Sequence, residues 1–151
     1  MSLDKEVSID KVSAKNIFVI TKTSDQTINS QIVLQDVTDL VYVLKPNIRY
    51  YVLVSGRMVS PSLADLDLTF KAITGTVYAH FNVTVGMSNV AFFGTEETFV
   101  TSGFIQSLYV AGWLKTGSGG GTLQLQYAQN VSDAGNTTIF EGSMMAIYEL
   151  I

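Results

Sequence analysis

Cysteine is absent from this chain. Its absence removes disulfides, thiolate nucleophiles, zinc ribbons and iron–sulfur ligation at one stroke. Histidine is nearly absent too, since His80 is the only one. A transition-metal site and a Ser-His-Asp triad therefore lack material. Charge is scarce, at 15% of 151 residues, where about 25% is usual. The nine lysines and arginines are scattered and the net charge is -4. Phosphate binding needs clustered cations, so nucleic acid is not an expected partner. The basic face of a membrane-surface helix is missing as well. Thr, Ser, Asn or Gly breaks every apolar stretch before the ~18 residues that a membrane span needs. The start, Met1-Ser2-Leu3-Asp4-Lys5-Glu6, is polar and carries no signal-peptide pattern. No membrane and no cofactor are expected.

What is present is alternation. Ala64, Leu66, Leu68 and Phe70 interleave with Asp65, Asp67, Thr69 and Lys71, the period of a half-buried strand. Val77, Ala79, Phe81, Val83 and Val85 alternate with Tyr78, His80, Asn82 and Thr84. The short link containing Gly75 suggests that these two strands pair as neighbours. Further strands are expected over residues 17–21, 40–44, 48–58, 99–114 (with a bulge near Ser102-Gly103), 122–129 and 137–151. No helix is expected, because the candidate 3.6-residue patterns are short and β-branched. About eight or nine long strands with turns between them predict an all-β, antiparallel jelly-roll sandwich. The domain is expected over residues 15–151, with a polar N-terminal arm at residues 1–14. Its core should include Leu66, Leu68, Phe70, Phe81, Val83, Leu123, Leu125 and Ile147.

The candidate chemical groups read as structure. His80 stands opposite Phe81's face, as a solvent or interface histidine. Asp65 with Asp67, Asp36 with Asp39, and Glu96 with Glu97 are carboxylate pairs of the kind that does acid–base work or binds calcium. At strand edges and in loops they read as solvated charges. The glycine run from Gly117 to Gly121 lacks the Lys-Ser or Lys-Thr of a phosphate loop, and a strand follows it. Three Asn-x-Ser/Thr patterns, at Asn82, Asn130 and Asn136, are short enough to be incidental. No catalytic or metal-binding residue is assigned, and an enzyme is not expected.

Two stretches resemble a known family. One runs Lys22-Thr23-Ser24-Asp25-Gln26-Thr27-Ile28, then Leu34-Gln35-Asp36-Val37-Thr38-Asp39-Leu40, then Lys45-Pro46-Asn47-Ile48-Arg49-Tyr50. The other is Gly121-Thr122-Leu123-Gln124-Leu125-Gln126-Tyr127-Ala128-Gln129-Asn130, with Thr137-Thr138 and Gly142-Ser143 beyond it. Together they resemble small phage virion proteins, including pieces of tail and head-fibre proteins. Tyr127 replaces an expected Trp, and Met144-Met145 an aromatic and Leu. The middle, roughly residues 57–115, carries no resemblance. The resemblance implies a jelly roll of the kind found in tumour-necrosis-factor-like and other viral domains, which commonly form trimers.

The functional expectation follows. A whole protein of 151 residues has no room for a fibre shaft. That favours a phage capsid decoration (cementing) protein on the virion exterior: a homotrimer bound to the major capsid protein, with the arm reaching to a neighbour or to the shell. The alternative is a receptor-binding tip, or head-fibre or tail-fibre domain, that recognises a host glycan. The loops at residues 117–121 and 131–136 carry no aromatic residue to stack on sugar, which speaks against it. A third reading is a carbohydrate-binding or hydrolytic β-domain outside any virion. Surplus aromatics mark the expected subunit interface at Tyr50, Tyr51, Tyr127 and Tyr148. Tyr50 and Tyr51 are adjacent, so one of them must leave the core face.

Overall fold

The computed structural model describes residues 14–71, 76–86, 88–92 and 97–150. The expected arm, apart from Ala14, and Glu96 lie outside them. Twelve strands follow one another: β1 (Ala14–Thr21), β2 (Gln26–Ile28), β3 (Gln35–Leu44), β4 (Arg49–Val59), β5 (Leu66–Phe70) and β6 (Thr76–Val85), then β7 (Ser88–Phe92), β8 (Glu97–Phe99), β9 (Gln106–Thr116), β10 (Gly121–Ala128), β11 (Thr137–Ile139) and β12 (Met144–Leu150). Among the described residues there is no helix.

The pairing follows a simple rule. β1 pairs with β12, β2 with β11, β3 with β10, β4 with β9, β5 with β8 and β6 with β7, all antiparallel. The chain is thus one long hairpin, bent back at β6–β7. It is then rolled up, so that β4 also meets β11 and β12, β5 meets β10, and β6 meets β9. The result is an eight-stranded sheet over a four-stranded sheet, a jelly roll.

Twelve strands exceed the eight or nine expected because β2 and β7 fall outside every expected run, and because the runs at residues 99–114 and 137–151 are each divided. β1 and β2 are separated by residues 22–25, and β11 and β12 by residues 140–143. These breaks lie side by side and share backbone bonds, Lys22 N–H to Ser143 O (2.7 Å) and Gly142 N–H to Lys22 O (2.9 Å). The run at residues 99–114 holds only the last residue of β8, then a loop, then most of β9, and the two strands belong to different sheets. Gly103, at φ 78°, stands in the crossing that a bulge was expected to fill.

The expected neighbours at residues 64–71 and 77–85 are not neighbours. β5 lies in the small sheet and β6 in the large one. Their apolar sides meet across the core instead, with the Phe70 and Phe81 rings 4.7 Å apart. Period-two alternation fixes which side chains face inward but not which strand lies alongside. β5 is also covered on both faces, so Asp67 and Thr69 are buried rather than solvated. Asp67 accepts a hydrogen bond from the Thr98 hydroxyl.

All eight expected core residues are buried. Two buried glutamines fix irregular backbone. Opposite Leu125, β3 loops out four residues, between Asp36 paired with Gln126 and Val41 paired with Gln124. The Gln124 amide donates to Val37 O (2.9 Å) and Leu40 O (3.3 Å) of that loop, and so satisfies carbonyls that the ladder leaves behind. Gln129 accepts from the Gln31 and Asp133 amides and donates to Gly135 O.

Candidate functional site: the outer face of the larger sheet

The outer face of the larger sheet can be read from its registers. Ile17, Tyr148, Tyr51, Trp113 and His80 stand in one row across five strands. Val19, Ala146, Leu53, Ala111 and Asn82 form the next row. Thr21, Met144, Ser55, Tyr109 and Thr84 form the third. None of these positions carries a formal charge. Flanking rows hold Arg49 and Lys115 at one end and Arg57 at the other.

The middle of this face is aromatic. The Tyr51 ring lies 4.9 Å from Trp113 and 5.8 Å from Tyr148. Partial burial, and then the neighbouring Tyr109 that shares its hydrogen bond, raise the Tyr51 phenol above its ordinary range. Trp113 remains 45% exposed and Ile17 57%. Exposed apolar side chains scattered singly are ordinary, whereas a large contiguous apolar patch marks an interaction surface.

Of the four tyrosines expected at an interface, Tyr51 and Tyr148 belong to this face. Tyr50 and Tyr127 do not. Both are fully buried in the core. The Tyr50 hydroxyl accepts from the Lys45 amide (2.8 Å), and the Tyr127 hydroxyl donates to Gln26 O (3.1 Å). Burial drives the Tyr127 phenol far above its ordinary range. Each tyrosine keeps phase with buried neighbours, Tyr50 with Val52 and Val54, Tyr127 with Leu123 and Leu125. That phase sends it inward.

His80 lies exposed at the end of the aromatic row, as expected of a solvent or interface histidine. Asp39 spends its carboxylate on the Thr23 amide and hydroxyl. These bonds hold it below the usual carboxylate range. Among the described residues, no three His, Cys, Asp or Glu side chains converge as a metal site would require.

A second surface escaped the sequence reading. The loops at residues 29–34, 60–65, 100–105 and 129–136 gather at one end of the sandwich. Backbone bonds stitch them together: Ser30 N–H to Asp133 O, Val131 N–H to Ala64 O, and Gly103 N–H to Ser60 O. The first loop exposes Ile32 and Val33, the second Leu63 (79% exposed), and the third Phe104 (77%) with Ile105. Val131 projects from the fourth. These loops contain Asp65 and Asp133 but no lysine or arginine. The chain enters β1 at the opposite end, where Ala14 pairs with Leu150.

No family model matches the chain, and no curated protein matches it. Among solved structures, that of the Gt strain of infectious bursal disease virus matches at 14% identity and a TM-score of 0.28, over 100% of this chain and 44% of that one. A mutant VP2 protein of the same virus gives 13% and 0.28 over the same shares. A VP2 subviral particle gives 11% and 0.22, over 100% of this chain and 46% of that one. The chain therefore spans less than half the length of these viral chains. Superpositions this loose transfer neither ligand nor partner.

Proposed function

We propose that this chain is a virion structural protein, a homotrimeric decoration protein that adds contacts between coat subunits on the outside of a phage capsid. The observation that carries the reading is the uncharged, aromatic outer face of the larger sheet. The fold does not need that face. The core is closed by the inner sides of both sheets, and Tyr51, Trp113 and Tyr148 lie outside it. Side chains of this kind suit the centre of a protein–protein interface, where charge is depleted and Tyr and Trp are enriched. The motifs that resemble phage virion proteins support the virion assignment. Ala14 pairs with Leu150 at the end of the sandwich away from the apolar loops, and the arm that precedes it is assigned the contact with the shell.

The test has two parts. Light scattering at micromolar concentration is expected to give the mass of three chains. Deleting residues 1–14 should leave the fold intact, because a polar terminus adds little apolar burial, and should weaken co-sedimentation with capsids. A monomeric protein removes the trimer. Full capsid binding by the truncated form removes the role of the arm.

A further inference from the structure

The outer sheet face is uncharged and aromatic, and the loop end is a second, separate apolar surface. We propose that the subunits associate head to tail, with the apolar loop end of one copy seated on the aromatic sheet face of the next. This deepens the trimer reading and rests on it.

Three observations point to a second copy as the occupant. The first is charge. The sheet face is neutral in the middle, with Arg49 and Lys115 at one end and Arg57 beside Glu141 at the other. The loop end holds two acids, Asp65 and Asp133, and no cation. The two acids can then lie toward Arg49 and Lys115, whereas two loop ends set against each other would oppose like charges.

The second is area. Six loop-end side chains are each more than half exposed, and at about 100 Å² apiece they supply roughly 600 Å² toward the ~800 Å² per partner that a standard interface buries. The third is rigidity. The four loops are tied by backbone hydrogen bonds, and Asp65 and Asp133 are each bonded within the end, to the Thr101 and Gly135 amides. Little conformational freedom remains to be lost on docking.

A contact between two different surfaces is heterologous; with a rotation of one third of a turn per subunit it closes into a three-membered ring, and with any rotation that does not close it runs on as a filament. The aromatic row then receives Leu63 and Phe104 of the neighbour, and each subunit uses both surfaces once. A self-complementary contact would leave the loop end unused.

This geometry has a distinctive consequence. Trp113→Glu spoils the sheet face, and Phe104→Glu spoils the loop end. Both side chains are substantially exposed, so each variant should keep the wild-type circular dichroism. Each alone is expected to run as a monomer, with one third of the wild-type mass. Mixed in equal amounts, the two retain one intact pair of surfaces between them. They should form a heterodimer and stop there. Added salt should weaken the wild-type assembly, since opposite charges are screened. Ile17→Asp and Leu63→Asp serve as a second pair should either first variant misfold.

Several results overturn the proposal. A Phe104→Glu protein that stays trimeric while Trp113→Glu does not means that sheet faces meet each other, and the homotrimer survives without the head-to-tail contact. If that Phe104→Glu trimer also loses capsid binding, the loop end belongs to the capsid protein. Two monomeric variants that fail to combine also refute the contact. A wild-type protein that is itself a monomer refutes the trimer reading and this contact with it.

Discussion

Gln26 is the side chain on which the joint between the two sheets turns, and its removal has a calculable effect. Its amide donates to Asp36 O (2.8 Å) and its oxygen accepts from the Thr38 amide (2.6 Å). The same oxygen receives the Lys22 ammonium at 3.2 Å. Lys22 is buried at the rim of the sandwich, where desolvation lowers its pKa and only Asp39 and Asp25 pull the other way. Among the described residues, Gln26→Ala leaves that ammonium with Thr38 O as its hydrogen-bond acceptor (3.3 Å). The two backbone groups lie near solvent and rehydrate, so each costs about 0.5 kcal/mol, whereas the bond to the cation is worth about 1.5–3 kcal/mol. The expected loss is about 3 kcal/mol, out of the ~5–15 kcal/mol that hold a domain together. Urea unfolding followed by far-UV circular dichroism should show the midpoint falling by about 1 M or more. Fixed subunit concentration keeps assembly from contributing to the difference. Adding Lys22→Met should recover part of the loss, because the stranded charge is gone. A midpoint within about 0.2 M of wild type would refute the reasoning, as would strictly additive single and double variants.

Acid stability should depend on Glu149. Its carboxylate is buried, and burial works against the charge. Hydrogen bonds from Lys45 and Asn16, with Lys45's charge, outweigh burial and hold the group below the usual carboxylate range. A lowered folded pKa gives stability that is full above the unfolded value of about 4.3 and is lost as the pH falls through the folded value. Glu149→Gln should therefore flatten the decline in stability below about pH 4. Equal slopes in wild type and variant would exclude the linkage. In the core, Leu125 is fully buried opposite Phe70, and Leu125→Ala should cost about 2–5 kcal/mol in the same urea experiment. A neutral result would mean that Leu125 does not face the core.

The core was legible because alternation reports side-chain facing directly. Leu66, Leu68 and Phe70, and Leu123 and Leu125, need no knowledge of their partners to be placed inside. Pairing was less legible, since any two strands with matched alternation look like neighbours. Only the roll of the chain separates β5 from β6. The run from Phe99 to Leu114 hid a crossing between sheets, because the apolar pair Phe104-Ile105 continued the strand composition through the loop. The loop end was missed for that reason. It exposes the aromatic that the loops at residues 117–121 and 131–136 lack. The stretches that resemble virion proteins turn out to be carpentry. Gln26 sits against Asp36 and Thr38, and Tyr127 reaches Gln26.

The outer face was legible in part, through phase. In β4 the buried phase is Tyr50, Val52, Val54 and Met58, while the other contains Tyr51, Leu53, Ser55 and Arg57. Arg57 and Ser55 already mark the second phase as outward, which separates Tyr51 from Tyr50. In β9, Ser107 and Lys115 mark the phase of Tyr109 and Trp113 in the same way. β12 gave no such sign, because Glu149 lies in the inward phase with Met145 and Ile147. Phase also separates two kinds of consequence. A change in the inward phase of these strands alters packing and must appear as lost stability. A change at Tyr51, Tyr109 or Trp113 leaves the core as it was, so its effect belongs to association. A polar substitution at Trp113 that lowers the stability of the isolated subunit by several kcal/mol would therefore place that ring in the core's account and leave the sheet face without its claim as an interface.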